Sequence, residues 1–152
     1  ICQSLCMRNL LTIFTLVFTL MFSSPSYAEW TKVGEGVKGN TFYVDFERIR
    51  KDLSYVYWWE LSDYKKPTTD YSKVTEVISV FSDKTYQQGD CELFRYKSLS
   101  VSLHKEPMGG GTGRVDNKPD IYWTYPTPDS VSETILKEVC SRSEKIRLVP
   151  TH

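Results

Sequence analysis

The sequence predicts an α+β fold: an antiparallel β-sheet of about five or six strands with a C-terminal α-helix packed on it and tethered by a disulfide. Three observations predict it. Short runs rich in Tyr, Trp, Val and Ile alternate with polar residues at period two, and one late segment repeats its apolar residues at helical spacing. Two cysteines, Cys91 and Cys140, fall one on a strand-like run and one on the helical segment. Aromatic residues make up 14% of the chain, an excess that suits pleated strands.

Trp30 to Val33 and Thr41 to Asp45 read as two strands of a hairpin, with Gly34, Gly36, Gly39 and Asn40 supplying the turn. Phe46-Glu47-Arg48-Ile49-Arg50-Lys51 has the composition for about one helical turn. From Tyr55 the chain is extended again. Tyr55, Tyr57, Trp59 and Leu61 share one face and Val56 and Trp58 the other, the pattern of a central strand covered on both sides. Pro67-Thr68-Thr69-Asp70 reads as a break, after which Val74 to Phe81 resumes extended structure. A further strand is expected from Cys91 to about His104, where Leu99, Val101 and Leu103 alternate with Ser98, Ser100 and Ser102. Ile121 to Tyr125 gives a last short strand, ended by Pro126-Thr127-Pro128. Val131, Ile135, Leu136, Val139 and Cys140 then follow a Ser130-x-x-Glu133 capping box at helical spacing. Cys140 lies on the apolar side of that helix, so a bond to Cys91 staples it to the sheet.

The N-terminus carries an export signal. Met7-Arg8-Asn9 precedes an apolar run from Leu10 to Phe22, then Ser23-Ser24-Pro25-Ser26-Tyr27-Ala28, where Ser26 and Ala28 suit the small pockets of signal peptidase. The run is short and interrupted by Thr12, Thr15 and Thr19, whereas a retained anchor needs roughly 20 apolar residues. Residues 7–28 are therefore expected to be a cleaved signal peptide, residues 1–6 an upstream extension of the reading frame, and residues 29–152 a single domain with its core at about 30–142. No Cys follows the cleavage site to carry a lipid, so the mature chain is expected to have neither transmembrane segment nor lipid anchor. It is expected in the periplasm, with the cell surface or medium as the alternative.

Lys plus Arg equal Asp plus Glu at 19 each, so no net field draws the chain to nucleic acid or to an anionic surface. Cys91 and Cys140 are the two cysteines left after cleavage, and an oxidising compartment favours their pairing. A metal or redox role is the alternative, but two isolated thiols fall short of the four ligands of a structural zinc.

Pro107-Met108-Gly109-Gly110-Gly111-Thr112-Gly113 invites a phosphate-loop reading. It lacks the closing Lys-Ser/Thr and joins strand-like segments, so a mobile hairpin tip is expected, with Met108 to Gly113 and Arg114 as the candidate recognition loop. Apart from Glu106 near His104, neither His104 nor His152 has a Cys, Asp or Glu at metal-ligand spacing, so His104 is expected to be an edge-strand or surface histidine; no Gly-x-Ser-x-Gly motif occurs, and no catalytic residue, metal or cofactor is implied. The run Tyr55-Val56-Tyr57-Trp58-Trp59 could form a binding platform, although alternation explains it more simply as core.

Tyr43-Val44-Asp45, Val56-Tyr57-Trp58, Gly89-Asp90-Cys91, the Pro126 to Ser130 run and a helix closing at Cys140 occur in an order that resembles the surface-adhesin protein E family. The similarity spans about Trp30 to Cys140. It implies an antiparallel sheet with a C-terminal helix held by a disulfide, no catalytic residues, and binding of host or extracellular proteins. The family's lipid-anchored member displays the domain at the outer membrane, and this chain departs from it in lacking the anchoring Cys. An exported, non-catalytic interaction domain with a protein partner is the leading expectation. The alternative is a soluble periplasmic carrier of a small apolar or haem-like ligand, suggested by aromatic richness without charge bias.

Overall fold

The computed structural model describes residues 29–70, 78–111 and 113–146. Ser26 and Ala28, the start of the run expected from Val74, Thr112 and His152 lie outside the described residues. Six strands, β1 (Trp30–Glu35), β2 (Thr41–Asp52), β3 (Tyr55–Asp70), β4 (Ile78–Asp90), β5 (Arg95–His104) and β6 (Gly113–Asp116), form one antiparallel sheet in sequence order. Helix α1 (Val131–Ile146) packs on β1, β2 and β3. The predicted architecture is the observed one, with several boundaries moved.

The expected hairpin forms, with Trp30 opposite Asp45 and Glu35 opposite Thr41. The helical turn expected from Phe46 does not form, because β2 continues to Asp52. Asp45 stands opposite Trp59 and Arg50 opposite Tyr57, so Phe46, Glu47, Arg48 and Ile49 bulge against Trp58 alone. The buried Asp45 carboxylate accepts hydrogen bonds from the Arg48 backbone N–H and guanidinium, an i, i+3 contact that gives the bulge a turn's local character. Pro67 does not end β3 either. The register slips between Asp63 and Thr68, and a bulge is where a strand tolerates a residue without an N–H.

β4 continues through the polar stretch Ser82 to Asp90, where Ser82, Asp83, Thr85, Gln87 and Asp90 are buried. Hydrogen bonding makes that burial tolerable: the Tyr64 hydroxyl and Thr85 Oγ1 both donate to the Asp83 carboxylate. β5 begins at Arg95 and not at Cys91. Cys91 to Phe94 form a turn in which the Leu93 N–H donates to Asp90 Oδ1 at 3.0 Å. The strand expected at Ile121 to Tyr125 is only an isolated bridge between Tyr96 and Thr124, as Pro119 and Pro126 on either side cannot donate to a ladder. The sixth strand is Gly113–Asp116 instead.

Helix α1 starts as its sequence dictates. Ser130 Oγ accepts the Glu133 N–H at 3.2 Å, and the Glu133 carboxylate reaches back to the Asp129 N–H at 2.9 Å. Its apolar stripe, Ile135, Leu136 and Val139, meets Val44, Ile49, Val56 and Trp58 in one core. Gly89 lets helix and sheet approach this closely, since a Cβ there would lie 2.8 Å from the Trp58 ring and 3.1 Å from Leu136. The Cys91–Cys140 disulfide closes the core at its edge.

Candidate functional site

Opposed residues of an antiparallel pair share a face, so the register sorts the sheet into two surfaces. The helix-covered face carries Val56, Trp58, Glu60 and Ser62 of β3 beside Gly89, Gln87, Thr85 and Asp83 of β4. The other, open face carries Tyr55, Tyr57, Trp59 and Leu61 beside Asp90, Gln88, Tyr86 and Lys84. Sequence reasoning expected both faces of this strand to be covered. That holds for Val56 and Trp58, each 1% exposed under the helix, and for the fully buried Leu61 on the other face, but Tyr55, Tyr57 and Trp59 stay partly exposed.

The open face presents an aromatic stripe. Trp59 and Tyr86 rings lie 4.9 Å apart and Tyr57 and Tyr86 6.1 Å apart, while Gln88 Nε2 donates to the Tyr57 hydroxyl at 3.1 Å. At one end Trp123 stacks on Tyr55 at 5.6 Å, with Arg95 and Lys97 over its ring at 4.6 and 5.0 Å. Trp and Tyr rings with free polar edges are the side chains that carry most energy in protein interfaces.

At the other end lies the glycine-rich loop. It is tied down, in contrast to the mobile tip expected. The Met108 N–H donates to Asp63 Oδ1, the Gly109 N–H to Ser82 Oγ, and Lys84 Nζ to the Gly109 carbonyl. Pro107–Gly109 form a short 3₁₀ turn with Met108 at φ 55°, and Arg114 sits in β6 opposite Leu103. Gly110 and Gly111 pack against Glu106. Met108 to Gly111 thus border the open face, whereas Arg114 is on the neighbouring strand. His104, expected at an edge or the surface, is instead buried because β5 is flanked by β4 and β6, with Ser102 Oγ 3.0 Å from its Nε2. No group of three His, Cys, Asp or Glu side chains able to hold a metal occurs among the described residues. An open groove of about 240 Å³ lies between β1 and α1, lined by Phe46, Glu138 and Arg142 among others, with the Arg142 guanidinium 4.0 Å over the Phe46 ring.

The helix face holds a polar row that sequence reasoning missed, although the run Ser82 to Gln88 was its visible trace. Burial, then the neighbouring Asp83 charge, push the Glu60 carboxyl up to about 7, while Trp58 and Gln87 beside it oppose the rise. Burial and Asp83 likewise push the Tyr64 hydroxyl up, so it stays a donor. An unfolded Glu60 gives up its proton at its ordinary value of 4.5 and the folded one only near 7, so folding stability falls as pH rises from 4.5 through 7. Glu60→Gln is expected to flatten that slope and to raise Tm at pH 8 while leaving it nearly unchanged at pH 4.5. Thermal melts across this range check it; an unaltered slope would place the titration elsewhere.

The model of the surface-adhesin protein E family matches residues 30–141. The chain belongs to that family. The fold agrees with solved structures of Haemophilus influenzae protein E. Crystal form II has 16% identity and a TM-score of 0.61, covering 78% of this chain and 91% of that one. A second structure of the same protein has 17% identity and a TM-score of 0.59 over 78% and 89%. Protein E from non-typeable Haemophilus influenzae has 16% identity and a TM-score of 0.60, covering 84% and 85%. At these identities the likeness speaks for the fold alone. Among curated proteins, none matches this chain. Membership of a surface-adhesin family implies an exported protein with a binding role. No helix among the described residues is long and apolar enough to cross a membrane.

Proposed function

We propose that this adhesin E domain is an exported, non-catalytic interaction module that binds extracellular proteins through its open aromatic face. The observation that carries the reading is the partly exposed contact between Tyr57, Trp59 and Tyr86 on the face opposite α1. These rings pack flank to flank and stand off the sheet, so they offer edges bearing O–H and N–H groups. Edges of that kind suit the backbone and side chains of a protein partner. The first half of the glycine-rich loop, Met108 to Gly111, would act as a rim to this surface, with Met108 42% exposed. Cleavage after Ala28, with residues 29–152 as the working domain, completes the reading.

The first test is location and contact together. The full precursor is expressed in a Gram-negative host, intact cells are treated with protease, and the recovered protein is passed over immobilised matrix proteins. Surface digestion and binding that weakens at least thirtyfold in Trp59→Ser, about 2 kcal/mol of a central contact, are expected. Protein that survives on intact cells and is released by osmotic shock would sink the adhesive reading. Unchanged binding in Trp59→Ser would move the contact off this face.

A further inference from the structure

The turns joining β2 to β3 and β4 to β5 lie side by side at one end of the sheet, since Asp52 pairs with Tyr55, Tyr55 with Asp90, and Asp90 with Arg95. Their tips are leucines, Leu53 at 87% exposure and Leu93 at 53%. Leu53 also takes φ 51°, a left-handed conformation that glycine or asparagine would occupy at less cost. One exposed leucine alone would be ordinary; two at neighbouring tips, one kept on a strained turn, form an apolar point at this end of the sheet. From this end, we infer that the domain docks on a phospholipid bilayer, with Leu53 and Leu93 dipping into it. The inference is independent of which protein the open face binds.

The order of side chains along the strands favours a bilayer over a protein. Behind the leucines comes an aromatic level, Tyr55 stacked on Trp123 and the exposed Tyr125 beside Arg95. Arg50 lies in the next row across the sheet with Tyr57, Gln88 and Lys97, and the Lys97 ammonium reaches over the Trp123 ring beside the Arg95 guanidinium. An apolar tip backed by an aromatic belt with cations in and behind it follows the environments from acyl chain through interface to phosphate. The depth agrees as well: Arg50 lies three residues from Leu53, about 10 Å along a strand, and side chains buried at a membrane surface reach about 5–10 Å into it. Charge is complementary to a zwitterionic headgroup. Exposed Asp52 and Glu92 beside the leucines suit the ammonium of phosphatidylethanolamine, and Arg50 and Lys97 its phosphate.

The test is co-sedimentation of the exported protein with vesicles of phosphatidylethanolamine containing a minority of phosphatidylglycerol. Wild type is expected in the pellet at both low and high salt, because apolar insertion drives the contact. Leu53→Asn with Leu93→Asn is expected to lower the partition coefficient at least about tenfold. Asn accepts the positive φ at residue 53, so Leu53→Asn alone should melt no lower than wild type, which separates lost docking from lost folding. Wild type remaining in the supernatant overturns the inference, as does equal sedimentation of the double variant. So does binding that salt abolishes, which would mean charge attraction alone, or a concentration-dependent dimer that Leu53→Asn dissolves, which would mean a second copy covers the leucines.

Discussion

Cys140→Ser, or reduction of the Cys91–Cys140 bond, is expected to lower stability by about 4 kcal/mol and Tm by about 10–20 °C. The bond closes a loop of 49 residues, and the freedom it removes from the unfolded chain gives that magnitude. A domain of this size has about 5–15 kcal/mol in all, so this one bond supplies between about a quarter and most of it. The loss is not spread evenly over the molecule. Helix α1 is the element least bound by the chain itself, since its partners β1, β2 and β3 lie far back in the sequence and no backbone ladder ties it to them. Calorimetry with and without reductant checks the size. Loss of helical circular dichroism ahead of the sheet signal checks the order. A reduced protein that melts within a few degrees of the oxidised one would mean that the apolar stripe alone holds the helix.

The sheet, the helix and their tether were legible in the sequence because each rests on a local signal. Alternation at Tyr55 to Leu61 and the Ser130-x-x-Glu133 box need no partner to be read. The misread segments depend on distant partners. Phe46 to Lys51 has a turn's composition, and only pairing with β3 keeps it in the strand. Ser82 to Asp90 is polar by composition and keeps its place near the middle of the sheet through its ladders with β3 and β5, its buried Asp83 satisfied by Tyr64, 19 residues away. The candidate surface was half legible for the same reason. Tyr57 and Trp59 could be seen to share a face, but their contact with Tyr86 needs the register of β4. The uncovered side of the strand could not be told from the covered one until the helix had a place.

Trp58→Ala is expected to cost about 3–5 kcal/mol, the usual result of emptying a large aromatic site in a packed core. Trp58→Phe should cost far less, about 1 kcal/mol, for a reason specific to this site. The Trp58 Nε1–H is buried beside Glu60 but does not reach full hydrogen-bond geometry with it, and Gln87 Oε1 directly opposite is buried without a partner among the described residues. Phenylalanine keeps most of the ring against Leu136 and Gly89 and removes this poorly paired donor, so one loss offsets the other. Glu60 makes the comparison depend on pH. Below about 7 its carboxyl is neutral and gains little from a nearby N–H; above it the ionised carboxylate gains more, since Trp58 is among the groups that favour the charged form. Urea unfolding at pH 5 and pH 8 should therefore find Trp58→Phe costing at most about 1 kcal/mol at the lower pH and more at the higher. Equal costs at both would uncouple the indole from Glu60 and leave Gln87 alone to oppose the rise of its pKa.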